Sequence, residues 1–278
     1  MKLYKLARPD GWDFYTGKKI NYRENIGKIV KCPNPDKSLG VCSSGVLHAS
    51  VDPNDCFIGA RIPCSAYLVE GKPVCGDKKK FGFFRLKVIE EIKDLDKLFG
   101  WKYSEASKLF NPLFKTQRVS KKHILLLKEW ASVWASVRAS VWASVWDSVW
   151  ASVGASVWDS VWASVRDSVW DSVGDSVWDS VWASVRASVW DSVWASVGDS
   201  VGDSVWDSVW AYIGSLFPNI KKWKYIYHKE GVYPYQSAVD LWYSGFVPSF
   251  DGKIWRLHSG RKAKVVFEIS KKDLIKFK

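Results

Sequence analysis

Two stretches of the chain hold residue types with a usable chemistry. The first is Ser43-Ser44-Gly45-Val46-Leu47-His48-Ala49-Ser50, followed by Asp52-Pro53-Asn54-Asp55. It sets an imidazole and a hydroxyl, His48 and Ser50, two residues apart. A histidine among small residues at a strand end is more often a hydrogen-bonded structural residue than a reactive one. His123, His228 and His258 have no partners at catalytic or metal-ligand spacing. The second stretch, 131–210, is an uninterrupted array of twenty units x-Ser-Val-x, and it holds thirteen of the nineteen tryptophans. Its chemistry is that of a surface. Tryptophan and arginine are the residues most enriched at binding hot spots, which makes Trp142, Trp146, Trp150, Trp158, Trp162, Trp170, Trp178 and Trp182, with Arg138, Arg166 and Arg186, the candidate binding residues. Exposed rings would also stack bases, but ten Asp against three Arg give the array a net charge of −7, which opposes binding to phosphates.

Other chemistries have no signal. The five cysteines (Cys32, Cys42, Cys56, Cys64, Cys75) are odd in number and contain no C-x2-C pair. They read as reduced, mostly buried thiols rather than a zinc site with His48. No phosphate-binding G-x-x-x-x-G-K, H-E-x-x-H or G-x-S-x-G is present. No metal and no cofactor is expected.

At 47% apolar and 25% charged residues the chain is globular in class. Its start lacks the apolar core of a signal peptide, and no apolar run is long enough to span a bilayer, so a cytoplasmic protein away from membranes is expected. The total charge of +12 against −7 in the array leaves +19 on the flanks. Such flanks would bind nucleic acid or another polyanion, or would simply keep the protein soluble.

The elements that must position these residues are of three kinds. Residues 1–92 read as short strands and turns, punctuated by Pro33, Pro35, Pro53, Pro63 and Pro73. Residues 83–89, FFRLKVI, have the best strand pattern. Residues 94–110 and 124–130 read as helical, the latter leading into the array. Beyond the array, 238–244 is a helix stopped by Gly245, Asp251-Gly252 marks a hairpin between 247–250 and 254–258, and 264–269 is a strand. Neither flank is comfortable alone. The expected organisation is an α+β head at 1–130, the array at 131–210, and a small α+β tail at 211–278 that packs on the head.

Within the array, Ser and Val never vary. Position one is Ala in ten units and Asp in ten; position four is Trp in thirteen, Gly in four and Arg in three. Ser and Val therefore meet a structural demand, while positions one and four face something tolerant, most simply solvent. A period of four overshoots the helical repeat by about 40° per unit, so a valine stripe would wind around a long helix and no straight partner would bury it. Ladders of identical residues suit a β-solenoid instead. The units resemble those of pentapeptide-repeat proteins, four-sided solenoids with one central apolar residue per side, although the five-residue motif itself is absent. The resemblance implies Val inward and Asp, Trp and Arg outward. The fold class expected is an α+β globular domain with an inserted tetrapeptide-repeat β-solenoid, the alternative being a long α-helical segment.

Two further resemblances concern the head. DFYTG at 13–17, the stretch SSGVLHAS at 43–50, and Gly59-Ala60-Arg61, with WRLHSG at 255–260, resemble a family of small uncharacterised proteins from phages and prokaryotes, which carries no established activity. The Gly-x-x-His-x-Ser stretch also resembles the ribose-holding histidine segment of ADP-ribosyltransferase-like folds. That resemblance implies NAD as substrate, His48 and Ser50 on its ribose, and a later glutamate (Glu70, Glu90 or Glu91) orienting the nucleophile. The function expected first is non-enzymatic: structural or interaction work by the tryptophan-rich repeat, through self-association or a protein partner. The alternatives are the NAD-using enzyme and nucleic-acid binding by the flanks.

Overall fold

The computed structural model describes residues 2–41, 43–146, 160–186 and 202–278, and among these the side chains of 137–146, 160 and 202–204 are not described. The chain forms two compact units, Met1–Ser107 with Val173–Val181, and Lys108–Ser172 with Trp182–Lys278.

The first unit is built on a seven-stranded antiparallel sheet. Its strands are β1 (Lys2–Ala7), β2 (Ile29–Lys31), β3 (Leu47–Ser50), β4 (Ser65–Glu70), β5 (Cys75–Gly76), β6 (Lys80–Phe83) and β7 (Arg85–Ile92), in the order β2-β7-β4-β1-β3-β6-β5. The pattern FFRLKVI is therefore two strands, not one. Phe84 alone joins β6 to β7, yet three strands separate them in the sheet. The sheet must curl back on itself to bring those two ends together. Its inward residues follow the two-residue period: Leu3 and Ala7 of β1, Leu47 and Ala49 of β3, Tyr67 and Val69 of β4, Leu86 and Val88 of β7 make one core. The same alternation puts Lys5 of β1 among them, 7% exposed.

A second, aromatic cluster forms around α1 (Leu95–Phe99) and α2 (Tyr103–Ala106), where Phe57, Phe99, Trp101 and Tyr103 pack ring on ring. Asp94 caps α1 through the Lys97 amide, and Gly100 ends it with φ +77°, so the helical pattern at 94–110 is two short helices. The Tyr103 hydroxyl ties the segment down, accepting from the Cys64 amide (2.6 Å) and donating to the Cys64 carbonyl (2.8 Å).

The second unit is mostly helical: α3 (Lys121–Trp146), α4 (Ser160–Val173), α5 (Asp175–Val185, which continues from the first unit), α6 (Gly202–Gly214), α7 (Gln236–Tyr243) and α8 (Lys271–Lys276). A three-stranded antiparallel sheet, β8 (Val247–Phe250), β9 (Ile254–Ser259) and β10 (Lys264–Ser270), completes it. Asp251-Gly252 turns β8 into β9, with Gly252 at φ +93°. α3 packs on α7 and α8, and α6 packs on α7 and β8. Among the described residues, Trp130, Tyr212, Phe217, Tyr235, Trp242, Phe246 and Trp255 are the largest fully buried side chains there.

The array is not a solenoid. Its described units are α-helical, and this corrects the fold expected from the sequence. The 40° drift is real, and α4 and α5 accommodate it by being short. On α4, Val161, Val165 and Val169 are fully buried, while Val173, one unit further, has rotated to a half-buried position. Three units span about 80° of drift, which an apolar stripe of about 100° accommodates. Gly174 then breaks the helix at φ +89°. α5 restarts in phase, with Val177, Val181 and Val185 fully buried. Gly174 thus separates two short helices, each with its own buried valine stripe.

Serine has its own reason for never varying. Ser164 donates to the Lys224 carbonyl, and Ser168 accepts from the Lys224 amide at 3.0 Å, so consecutive units hold both polar groups of one residue in the tail. Ser180 accepts from the Ile62 amide at 2.9 Å, and Ser208 accepts from the Trp242 indole at 3.2 Å. A hydroxyl both donates and accepts, which is what a buried helix face needs against irregular backbone.

Nothing lies within 4 Å of a Cβ built on Gly174, so substitution there tests backbone conformation alone. Gly174→Ala is expected to destabilise the protein by about 1–2 kcal/mol, the cost of a left-handed alanine. Urea denaturation followed by circular dichroism measures it. A stabilised variant would mean that a continuous helix is tolerated.

Candidate functional site

The predicted binding residues fall into three groups. Trp150 and Trp158 lie outside the described residues, as do the side chains of Trp142, Trp146 and Arg138. Trp178 and Trp182 turn inward. Trp178 is 7% exposed. Trp182 stacks on Trp210 at 4.5 Å between ring centroids and lies 5.4 Å from Trp206. Trp134 is likewise interior, edge-on to Phe250 and Trp255 and donating its indole N–H to Asp207. Much of the array's tryptophan is therefore structural.

The third group is brought together. Trp162, Arg166 and Trp170 follow one another at intervals of four along α4. The Arg166 guanidinium sits over Trp162, 4.2 Å from its centroid, and 5.9 Å from that of Trp170. Both distances are within the range of cation–π attraction. Asp167 accepts from Arg166 Nε at 3.0 Å and from the Tyr225 hydroxyl at 3.0 Å, holding the cation in place. Trp170 is 48% exposed and Arg186 is exposed. Each of the three array arginines has tryptophan four residues before and after it: 134/138/142, 162/166/170 and 182/186/190. The α4 triplet is the one whose three side chains are all described.

His48 lies in the first unit, on β3. Ser50 pairs with Tyr4 of β1, and His48 with Gly82 of β6. The imidazole is half-buried. Burial first, then the charges of Lys5 and Lys80, push its pKa down to about 4, with the Val41 backbone and Asp13 opposing. It is neutral near pH 7. Glu91 is engaged elsewhere, by Arg23 at 2.9 Å and Lys93 at 2.6 Å, and Glu70 faces Lys87 at 3.5 Å. Neither cavity beside His48 is lined by Glu70, Glu90 or Glu91. The histidine–glutamate constellation of an ADP-ribosyltransferase is not assembled.

The residues that sequence reading missed are Lys5 and Asp13. Their ion pair, Nζ to Oδ2, is 2.8 Å long, and both side chains are buried. Oδ1 of Asp13 accepts from the amides of Tyr15 (2.9 Å) and Thr16 (3.0 Å). Burial opposes both charges, yet Asp13 lies well below the usual carboxylate range, held there by Lys5 and the Tyr15 and Thr16 amides, and Lys5 is raised by Tyr22 and by Asp13.

Cys32, Cys56, Cys64 and Cys75 are free thiols; Cys42 lies outside the described residues. Burial pushes Cys56 up to about 11 and Cys64 up to about 12, so both stay protonated and unreactive at neutral pH. Among the described residues no group of His, Cys, Asp and Glu is placed to hold a metal, and no helix is long and apolar enough to cross a membrane. No family model, curated protein or solved structure matches the chain.

Proposed function

We propose that this is a non-enzymatic structural protein that self-associates through the outward position-four side chains of its array. The observation that supports this reading is the Trp162–Arg166–Trp170 ladder. Three large planar groups are held rigid on one helix face, with Trp170 half in solvent. Tryptophan and arginine presented this way lose little entropy on contact and dominate interfaces where they occur. A second copy is the partner favoured by charge, since the array carries −7 and the rest of the chain +19.

Sedimentation velocity of the full chain over a concentration series tests this. The expected result is a sedimentation coefficient that rises with concentration at low salt and less so at high salt, where exposed charges are screened beyond about a Debye length of 8 Å. Trp170→Ser or Arg166→Gln is expected to weaken association about tenfold or more. A chain that stays monomeric at all concentrations, or variants that associate like wild type, would overturn the reading.

A further inference from the structure

Of the four histidines, three have their buried ring nitrogens satisfied. His258 pairs with Ser249 (2.7 Å) and the Ala263 carbonyl (3.0 Å), His228 accepts from the Trp223 amide (2.9 Å), and His123 accepts from the Ser120 amide (3.1 Å). His48 differs: its Nε2 is buried without a partner. So is the Thr16 Oγ1. These two atoms come from separate segments, yet both residues line one cavity of about 140 Å³ in the first unit. Buried polar atoms are rarely left unbonded, and two at one cavity point to something that occupies it.

The lining shows its charge. Lys5 and Lys19 contribute two cations, and Asp13 contributes the one carboxylate. That carboxylate is spent: one oxygen is on Lys5 and the other on two backbone amides. Lys5 has three N–H donors and gives one to Asp13. Ser43 also lines it, but its hydroxyl is engaged, donating to the Gly40 carbonyl (2.8 Å) and accepting from the Gly45 amide (3.2 Å). The donors thus come from β1 and from the 13–19 loop, and His48 of the 43–48 segment becomes one when protonated. No arginine lines it, so the planar fork suited to a carboxylate is absent; lysines acting as point charges with a hydroxyl suit a tetrahedral group with several oxygens.

We propose that this cavity, bounded by Lys5, Thr16, Lys19, Ser43 and His48, is a binding site for a phosphate group, as the free anion or as a phosphomonoester. The site is independent of the array and of self-association. A bound dianion next to His48 favours its imidazolium form. The ring then becomes a donor at Nε2, and the repulsion from Lys5 and Lys80 is offset. By linkage, phosphate raises the pKa of His48, and protonation of His48 strengthens binding. Asp13, whose charge is already matched, Lys19, the Tyr15 phenol and the neutral Cys56 thiol also line the space around the ring.

Inorganic phosphate and, separately, phenyl phosphate are titrated into the full chain while the histidine ring protons are followed by NMR, with chloride at matched ionic strength as control. His48→Gln assigns the signal. The expected result is a saturable shift of the His48 resonance alone and a higher apparent pKa for it in saturating ligand. Lys19→Ala and Thr16→Val, which leave the Lys5–Asp13 pair intact, are expected to weaken binding about fivefold or more each, with unchanged circular dichroism. Tighter binding of the free anion or of the ester identifies which the site takes. No saturable shift up to about 10 mM of either ligand, or equal binding by both variants and wild type, would overturn the proposal.

Discussion

Asp13→Ala is expected to cost about 3–5 kcal/mol of stability, the usual penalty for removing one partner of a buried ion pair. Lys5 is 7% exposed and Asp13 3%, so the largely buried ammonium left behind would lose the carboxylate it is paired with. Asp13→Asn separates two contributions. The amide keeps an oxygen for the Tyr15 and Thr16 N–H groups but removes the charge. If the charge dominates, Asn costs nearly as much as Ala; a mild Asn variant would mean that the loop bonds carry the effect. Lys5→Met combined with Asp13→Leu should recover much of the loss, because a packed apolar pair needs no compensation. Urea denaturation by circular dichroism reports all three against wild type. The sign with pH follows from the two shifts. The Asp13 pKa is depressed by folding, so its stabilisation is present above the unfolded value near 3.9 and is lost as pH falls towards the folded one; Lys5 is raised, so its share is present below about 10.4 and is lost only at higher pH. Wild type should therefore show a steeper acid limb than either Asp13 variant.

That pair also shows where reading the chain stops. KLYKLA does not alternate strictly between polar and apolar residues, and nothing in it marks Lys5 as inward. Its burial depends on a sheet curled tightly enough to face Asp13 from a loop, and the curl depends on Phe84 being a one-residue crossover between strands that are not neighbours. Non-local pairing of this kind leaves no trace in local pattern. The stretch around His48 was legible as unusual because small residues flank a lone imidazole. Its companions Lys5, Asp13 and Thr16 were not, because they are brought to it by topology rather than spacing. The hairpin at Asp251-Gly252 was legible because its turn chemistry is local.

In the array, valine is the inward position, buried at Val161, Val165, Val169, Val177, Val181, Val185, Val205 and Val209; serine is buried in some units (Ser164, Ser168, Ser180, Ser208) and exposed in others (Ser132, Ser136, Ser172), and position one is exposed at Asp171, Asp175 and Asp179 but buried at Asp207. The conformation was misjudged for a definable reason. The mismatch between four and 3.6 rules out a long straight helix with one buried stripe, but it permits helices of about three units. The four glycine units stand in the sequence only as variation at the tolerant position four. Gly174 shows what one of them does: it stops the drift before the stripe has turned away. Tryptophan was read as surface for the same reason, as part of a ladder. In short helices packed face to face, Trp182, Trp206 and Trp210 instead fill the space between elements, their centroids 4.5–5.9 Å apart.

The demand on position three has a direct test. Val165 is fully buried on α4, and a methyl built on Gly214, at the end of α6, would come within 3.1 Å of its Cγ2. The backbones approach closely there, and a carboxylate would find no room and no water. Val165→Asp is expected to cost on the order of 4 kcal/mol or more, enough to unfold a marginal unit. Ala163→Asp places the same side chain two residues away at position one, which the array fills with Asp in ten of its twenty units. Ala163 is half-buried, and this variant should stay within about 0.5 kcal/mol of wild type. Val165→Ala, which removes two methyl groups without adding charge, should fall between them at about 1–3 kcal/mol. The comparison is made at equal denaturant slope, so that a shift of midpoint reports stability and not a change in cooperativity. If Val165→Asp cost no more than Ala163→Asp, the valine ladder would not be the core of the second unit, and the invariance of position three would need another cause.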